Sequence, residues 1–172
     1  MKKLILPALL ASLLAACSTT GTSDTSSAAV EDRAGAGVAT VTAPGVSGSG
    51  IAALTDPNNI LSKRSVYFDF DSFVIKPEFN KLIEAHARFL VQNPQMKMLI
   101  QGNTDERGSR EYNLALGQKR ADAIRRALTL LGVSESQIES VSLGEEKPRC
   151  TESNEACFAQ NRRGDMLYSG EF

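Results

Sequence analysis

The sequence has little of what several functional classes need. It contains no tryptophan and no lysine-rich stripe, and its formal net charge is −1, so nothing in its composition indicates nucleic-acid binding. Its three cysteines form no CxxC pair, and its one histidine lies far from Cys150 and Cys157. A zinc site is therefore disfavoured, and we expect neither a metal nor a cofactor. After the N-terminal segment, no apolar run approaches the roughly 20 residues that span a bilayer.

The inventory of acid–base groups is equally thin. His86 falls on the apolar stripe of a predicted helix, where a packed side chain is expected. No Ser–His–Asp or Cys–His arrangement is available for nucleophilic catalysis. We therefore expect no catalytic residues and no enzymatic activity, and a hydrolase is kept only as the alternative class.

Residues 1–16 have the composition of a secretory signal, with a basic start, a short apolar run and small residues at the end. Residues 14–17 resemble the lipobox of bacterial lipoproteins, in which the cysteine, here Cys17, is lipidated and begins the mature chain. The alternative is an ordinary secretory signal followed by an incidental cysteine. The lipobox resemblance implies removal of residues 1–16 and a lipid anchor on Cys17. Ser18 then implies the inner leaflet of the outer membrane, facing the periplasm.

Residues 17–60 are interpreted as a flexible tether that follows the lipidated cysteine. Between residues 18 and 50 the chain consists mostly of Ser, Thr, Gly, Ala and Val, and it is too poor in large apolar residues to form a core. Such a composition behaves as a flexible linker. A turn signal at residues 56–59 marks the approach to a folded domain, which we place at residues 61–172.

The folded domain alternates between the hydrophobic periods of strands and helices. A strand at 65–70 would carry Val66, Phe68 and Phe70 on one face. Pro77 opens a helix, and Ser109 caps a long helix that Gly132 ends. The order of elements predicts an α+β fold, a two-layer α/β sandwich with helices packed on one face of a mixed sheet. The remaining predicted elements are strands at 96–100, 140–143 and 163–168 and helices at 135–138 and 154–161.

Cys150 and Cys157 lie close together in sequence in a chain predicted to reach an oxidising compartment. We expect a disulfide between them. It would close a short loop and contribute about 2–3 kcal/mol in the chain-entropy model.

Arg120 is the anomaly of the long predicted helix. It lies four residues after Leu116 and three before Ala123, on the stripe of residues that faces the core. A buried guanidinium needs an anion, since an uncompensated buried charge costs several kcal/mol. Two partners are possible: an internal carboxylate, from Asp105 or Asp122, or the carboxylate of a ligand held by the guanidinium fork.

Asp105 lies in the loop 102–108 that joins the second predicted strand to the long helix. Ligands often bind where strands end and helices begin, because backbone N–H groups gather there. Asp105 is therefore a candidate binding residue, with a turn-forming aspartate or a partner for Arg107 as the structural alternative.

Several segments resemble the OmpA-like peptidoglycan-binding domain family, and together they cover about residues 64–169. They are 66–71, 103–108, 112–113, 116–121, 144–148 and 161–163. The resemblance implies non-covalent binding of the peptidoglycan stem peptide at meso-diaminopimelate, without turnover. For lipid-anchored members it also implies TolB and other Tol components as partners. A pure protein–protein adaptor is the remaining alternative.

The resemblance also assigns the binding residues. Diaminopimelate ends in an ammonium and a carboxylate on one carbon, and the family's aspartate and arginine for these groups match Asp105 and Arg120. Phe70 and Asp71 match positions that line the same pocket, largely through backbone groups. Thr104 and Leu116 are further candidate wall residues.

Two features near the C-terminus stand apart from this assignment. Gly164 follows the segment 161–163 where the family usually has a small or β-branched apolar residue, which predicts a looser last strand. Arg162 has two possible roles, support of the site and capping of the last helix, and the structural role is favoured.

Overall fold

The structure is a computed structural model that describes residues 48–172. The predicted signal peptide 1–16, the lipidation site Cys17 and most of the predicted tether lie outside the described residues. Within the described range, no helix has the length and apolar character to cross a bilayer.

Four strands and four α-helices form the described structure. The strands are β1 (Ser65–Tyr67), β2 (Met98–Asn103), β3 (Ile138–Gly144) and β4 (Arg163–Tyr168). The helices are α1 (Gly48–Thr55), α2 (Asn80–Gln92), α3 (Arg110–Leu130) and α4 (Glu155–Asn161), and short 3₁₀ helices occupy Ile60–Ser62, Pro77–Phe79 and Glu135–Gln137.

The four strands form one mixed sheet in the order β1-β4-β2-β3. β4 pairs antiparallel with both β1 and β2, while β2 and β3 are parallel. The parallel pair requires a crossover, which α3 supplies. The predicted α+β fold with a mixed sheet is confirmed.

One face of the sheet packs against α2 and α3 to form the core. Alternate strand residues supply the sheet side, because successive side chains of a strand point to opposite faces. The sheet contributes Val66, Met98, Ile100, Met166 and Tyr168, and the helices contribute Leu82, Ile83, Ala87, Leu90, Ala121, Ile124 and Leu128. Full burial of each large aliphatic side chain stabilises the fold by about 1.5–3 kcal/mol.

Ordered structure begins earlier than the sequence predicted. Helix α1 lies inside the predicted tether 17–60, and Leu54 is only 6% exposed as part of the core. The Arg64 guanidinium donates a hydrogen bond to the Leu54 carbonyl at 2.9 Å. The packed structure therefore starts upstream of residue 61, because one apolar side chain with a backbone contact docks a segment that is otherwise poor in large apolar residues.

The first strand is shorter than predicted, and the placement of Phe70 on its buried face is wrong. β1 ends at Tyr67, and although Val66 and Phe68 are buried, Phe70 is 58% exposed. The chain turns after Phe68, with the Ser72 amide bonded to the Asp69 carbonyl at 3.3 Å. Asp71 adopts the left-handed region at φ 52°. This turn brings two backbone carbonyls towards α3, as described below.

Helix α3 crosses β2 at a pair of glycines. A Cβ atom on Gly102 would lie 1.8 Å from the carbonyl oxygen of Gly117, so the helix and strand backbones are in direct contact there. The helix begins with the predicted cap, since the Ser109 hydroxyl accepts a hydrogen bond from the Tyr112 amide at 3.2 Å. The contact at Gly117 fixes the depth at which the next turn of the helix, carrying Arg120, lies over the sheet.

Gly164 is the register partner of Gly102 on the neighbouring strand β4. A Cβ atom there would come within 2.3 Å of the terminal methyl of Ile124, so the glycine makes room for a core side chain. β4 pairs with both its neighbours through this position. The predicted loosening of the last strand is not observed.

A disulfide joins Cys150 to Cys157, with the Cα atoms 5.3 Å apart. Cys157 is buried in α4, and the Asn161 carboxamide holds the other side of the loop by accepting hydrogen bonds from the Arg149 and Cys150 amides at 2.7 and 3.0 Å. Helix α4 has only seven residues and needs such anchoring, since isolated helices of this length are unstable.

His86 is a buried, neutral core residue. One ring nitrogen, Nε2, donates to the Lys63 carbonyl at 2.9 Å, so Nδ1 accepts from the Tyr168 hydroxyl at 2.7 Å. Burial lowers the pKa of His86 to about 4, with a further small lowering from Arg64 and opposing contributions from the Lys63 carbonyl and Glu171.

The two glycines make a matched pair for testing the helix–strand contact. We expect Gly102→Ala to destabilise the domain by about 3 kcal/mol or more, because the new methyl meets backbone that has no room to move. Gly164→Ala should cost about 1 kcal/mol, since the Ile124 terminal methyl can rotate away. Urea unfolding of both variants measures the difference, and equal losses would contradict the contact.

His86 should make the domain sensitive to mild acid. Its pKa is about 4 when folded and about 6.5 when unfolded, so the unfolded chain binds more protons between these values. This stabilisation is fully present above pH 6.5 and is lost as the pH falls through 4. Between pH 7 and pH 5 we expect the free energy of unfolding to drop by roughly 2 kcal/mol.

Urea titrations at pH 7 and pH 5 measure this drop, with His86→Gln as the control. The variant lacks the only histidine of the chain, so its stability should change little over the same range. A wild-type loss that persists unchanged in the variant would assign the acid sensitivity to other groups.

Candidate functional site

One cavity brings together all six of the predicted binding residues. It has a volume of about 190 Å³ and lies between the turn after β1, the loop after β2 and the first half of α3. Its predicted members are Phe70, Asp71, Thr104, Asp105, Leu116 and Arg120, and it is also lined by Arg107, Gly108, Tyr112, Asn113 and Arg162.

Arg120 lies at the bottom of this cavity with no exposed surface. Its guanidinium donates three hydrogen bonds, all to backbone carbonyls: Nε to Ser72 at 2.8 Å, Nη1 to Asn103 at 2.9 Å and Nη2 to Asp69 at 3.1 Å. Two of these carbonyls belong to the turn that follows β1, which explains why the chain leaves the sheet there. The Phe68 ring packs under the guanidinium at 5.3 Å.

The internal ion pair considered for Arg120 is not formed. Among residues 48–172, Asp105 bonds to two other arginines and Asp122 bonds to Arg125, Gln118 and Ser140, so neither carboxylate reaches Arg120. Burial lowers the pKa of Arg120 to about 10, although Asp105 and Asp71 act in the opposite direction. The guanidinium remains a cation at neutral pH, solvated by carbonyl dipoles and without a neutralising anion in contact.

Asp105 is the buried anion of the cavity, with 4% of its surface exposed. Oδ2 accepts from Arg107 Nη2 at 2.6 Å and from Arg162 Nη1 at 3.1 Å, and Oδ1 accepts from the Arg107 amide at 3.2 Å. Burial alone would raise the pKa of Asp105, but the hydrogen bonds from Arg107 and Arg162 outweigh it and the pKa is lowered. Asp105 is therefore ionised at neutral pH.

The sequence indicates Arg107 only as a possible partner for Asp105, and the structure adds three further contacts. Its guanidinium is stacked between the Phe70 ring at 4.2 Å and the Phe158 ring at 4.5 Å, and Nη1 reaches Glu155 at 3.3 Å. Phe158 and Glu155 both come from α4, which lies far along the chain. No local spacing in the sequence indicates this contact.

Arg162 contacts both the buried aspartate and helix α4. Besides Asp105, it donates to Glu155 at 2.6 Å and to the Phe68 carbonyl at 3.2 Å. It is buried and lines the cavity, so its position is compatible with support of the site as well as with a structural role. It ties α4, the first strand and the buried aspartate together.

Thr104 presents an unsatisfied polar atom to the cavity. The residue is 3% exposed, and its hydroxyl has no hydrogen-bond partner among the described residues. Buried hydroxyl groups are nearly always bonded in folded proteins, so this position is suited to a ligand or a water molecule. Leu116, 7% exposed, supplies an apolar wall.

Asp71 forms the outer edge of the cavity and contributes a side chain. Its carboxylate accepts a hydrogen bond from the Tyr112 hydroxyl, which raises the pKa of that phenol. The flanking carbonyls of Asp69 and Ser72 bind Arg120.

The cavity offers groups of both charges. Its arginines and aspartates can bind a cation and an anion side by side, and the Thr104 hydroxyl adds a hydrogen-bonding group. In the part of the chain that the structure describes, no cluster of His, Cys, Asp and Glu side chains is placed to hold a metal ion. The arrangement is that of a binding site for a small polar group.

Comparison with known proteins places the chain in a family. Residues 67–162 match the OmpA family. The peptidoglycan-associated lipoprotein of Pasteurella multocida is 47% identical over 104 residues, which cover 60% of this chain and 69% of that protein. The protein of the same name from Pseudomonas putida is 42% identical over 139 residues, which cover 81% of this chain and 79% of that protein.

Solved structures agree with this placement. The crystal structure of the peptidoglycan-associated lipoprotein from Burkholderia pseudomallei superposes with a TM-score of 0.67 at 59% identity, covering 68% of this chain and 99% of that one. The C-terminal domain of Helicobacter pylori MotB, at 20% identity and a TM-score of 0.58, shares the fold alone and covers 62% of this chain and 84% of that one. The chain belongs to the OmpA family and, within it, to the peptidoglycan-associated lipoproteins.

Proposed function

We propose that the cavity binds the stem peptide of peptidoglycan non-covalently, through the end of the meso-diaminopimelate side chain. That end carries an ammonium and a carboxylate on one carbon. The observation that supports the proposal most strongly is Arg120, a fully buried cation that donates hydrogen bonds only to backbone carbonyls, in a cavity shared with a buried carboxylate. The names of the relatives support peptidoglycan as the polymer.

Arg120 is the proposed receptor for the ligand carboxylate. A guanidinium has five N–H groups, and three of those on Arg120 already donate to carbonyls. One N–H remains on each terminal nitrogen, which is the number that a bidentate carboxylate contact needs. The carboxylate would neutralise a charge that the protein itself leaves uncompensated.

Asp105 is the proposed receptor for the ligand ammonium. A carboxylate has about four lone-pair directions. Three of those on Asp105 are used by Arg107 and Arg162, and one remains for an incoming cation. Thr104, Leu116, Phe70 and Asp71 would complete the wall, with the Thr104 hydroxyl gaining the hydrogen bond that it lacks.

In the cell, this site would hold the outer membrane to the cell wall. Cys17 would carry the lipid in the inner leaflet of the outer membrane, and the following segment would let the domain reach the peptidoglycan. We further propose that the protein acts in the Tol–Pal system with TolB, contributing to envelope integrity and cell division. These roles rest on the family to which the chain belongs.

The proposed role is binding without turnover. The only histidine of the chain, His86, is buried in the core with both ring nitrogens bonded to Lys63 and Tyr168, and it does not line the cavity. Incubation of the protein with purified sacculi should release no muropeptides, and release would point to the hydrolase alternative.

Substitutions at the two charged positions test the site. We expect Asp105→Asn and Arg120→Lys each to weaken binding of an L-Ala-γ-D-Glu-meso-diaminopimelate tripeptide by about 2–5 kcal/mol. The first removes the anion at nearly constant shape, and the second replaces the planar fork by a point charge. Calorimetric titration measures affinity, and cosedimentation with sacculi checks it on the polymer.

Arg88→Gln is the matched control, because Arg88 is exposed on α2 and does not line the cavity. All variants should be compared by thermal unfolding first, since Arg120 also holds three carbonyls in place. Folded Asp105→Asn or Arg120→Lys protein with wild-type affinity would refute the two-charge site.

A further inference from the structure

Arg107 covers the carboxylate that the ligand ammonium is proposed to reach. Its Nη2 lies 2.6 Å from Asp105 Oδ2, its amide bonds to Oδ1, and its side chain lines the cavity. Two aromatic rings and Glu155 hold the guanidinium in this position. A ligand cation that approaches Asp105 therefore does so beside a fixed positive charge.

Positive charges outnumber negative charges among the residues that line the cavity. Arg107, Arg120 and Arg162 line it together with Asp71 and Asp105. The third carboxylate, Glu155, lies outside the lining but bonds to both Arg107 and Arg162, at 3.3 and 2.6 Å. A ligand group with no net charge adds nothing to this total, whereas a bare ammonium adds a positive charge near three arginines.

We propose that Arg107 is a specificity-determining residue, which makes the cavity select a side chain ending in both an ammonium and a carboxylate over one ending in an ammonium alone. The inference rests on the proposed function and concerns the choice between two stem peptides, one with meso-diaminopimelate and one with lysine at the third position.

The selection follows from where each ligand charge would lie. The ammonium at Asp105 is repelled by Arg107 in both peptides. In the diaminopimelate peptide, the neighbouring carboxylate is attracted to Arg120 and Arg107, and this attraction offsets the repulsion. The lysine peptide has no such carboxylate, so repulsion by Arg107 lowers its affinity more. Asp105 and Arg120 are buried, so charges placed between them are screened less than at the surface, whereas the Arg107 side chain is 35% exposed and its contribution is screened more.

The test measures affinities of both tripeptides, L-Ala-γ-D-Glu-meso-diaminopimelate and L-Ala-γ-D-Glu-L-Lys, for four proteins by calorimetry. The proteins are the wild type, Arg107→Gln, Arg107→Lys and the charge-matched surface control Arg88→Gln. Thermal unfolding verifies that each is folded. The readout is the ratio of the two dissociation constants. A general loosening of the loop would weaken binding of both peptides and would not change this ratio systematically.

We expect Arg107→Gln to reduce the preference for the diaminopimelate peptide roughly tenfold, mainly by tighter binding of the lysine peptide. Arg107→Lys keeps the charge and should keep the preference within about threefold, and Arg88→Gln should leave it unchanged. Glu155→Gln, which removes a negative charge, should increase the preference. The change should be smaller than that for Arg107→Gln, because the Glu155 side chain is 65% exposed.

Two results would overturn the inference: an unchanged ratio in Arg107→Gln, or an equal loss of preference in Arg107→Lys, which would mean that shape rather than charge selects. Failure of the proposed function gives a different result. The wild-type protein would then bind neither tripeptide, or would bind both without preference.

Discussion

The buried guanidinium of Arg120 is the constraint around which the rest of the binding region is built. A cation with no exposed surface must be solvated by the protein, and three carbonyls from two separate segments do this. Their placement requires the chain to leave the sheet after Phe68, turn through Asp71 and return to α2. The short first strand, the exposed Phe70 and the left-handed Asp71 are consequences of this requirement.

A second set of contacts stabilises the negative charge of Asp105. Asp105 would be protonated more readily in an apolar site, and the arginines at 107 and 162 keep it ionised. Both arginines also bond to Glu155 on α4. The charge arrangement of the cavity therefore depends on contributions from both ends of the domain, and the sheet order, which places β4 between β1 and β2, brings these ends together.

The sequence predicted the elements whose signals are local. The Ser109 cap and the apolar stripe of α2 predicted helices that form. The position of Arg120 on an apolar stripe predicted a buried charge, which is also present. The family resemblance selected six residues that the structure places around one cavity. The predicted domain start at residue 61 is too late, because Leu54 docks through a tertiary contact with Arg64 that the local sequence does not reveal.

The spacing of residues along the sequence does not predict contacts between distant segments. Glu155, which bonds to both Arg107 and Arg162, lies on α4. The prediction for Gly164 fails because its neighbour Ile124 comes from another element. A glycine in a strand suggests weakness when considered alone. Its role as the space for a core side chain is visible only once the sheet and α3 are assembled.

The disulfide has a practical consequence for how the domain is prepared. Cys157 lies between Glu155 and Phe158, the two residues that restrain Arg107, and its bond to Cys150 pins their short helix to the preceding loop. Material expressed in a reducing cytosol would begin with thiols in place of this crosslink. The oxidation state of the two cysteines, checked by mass spectrometry, determines whether a purified sample carries the crosslink that anchors α4.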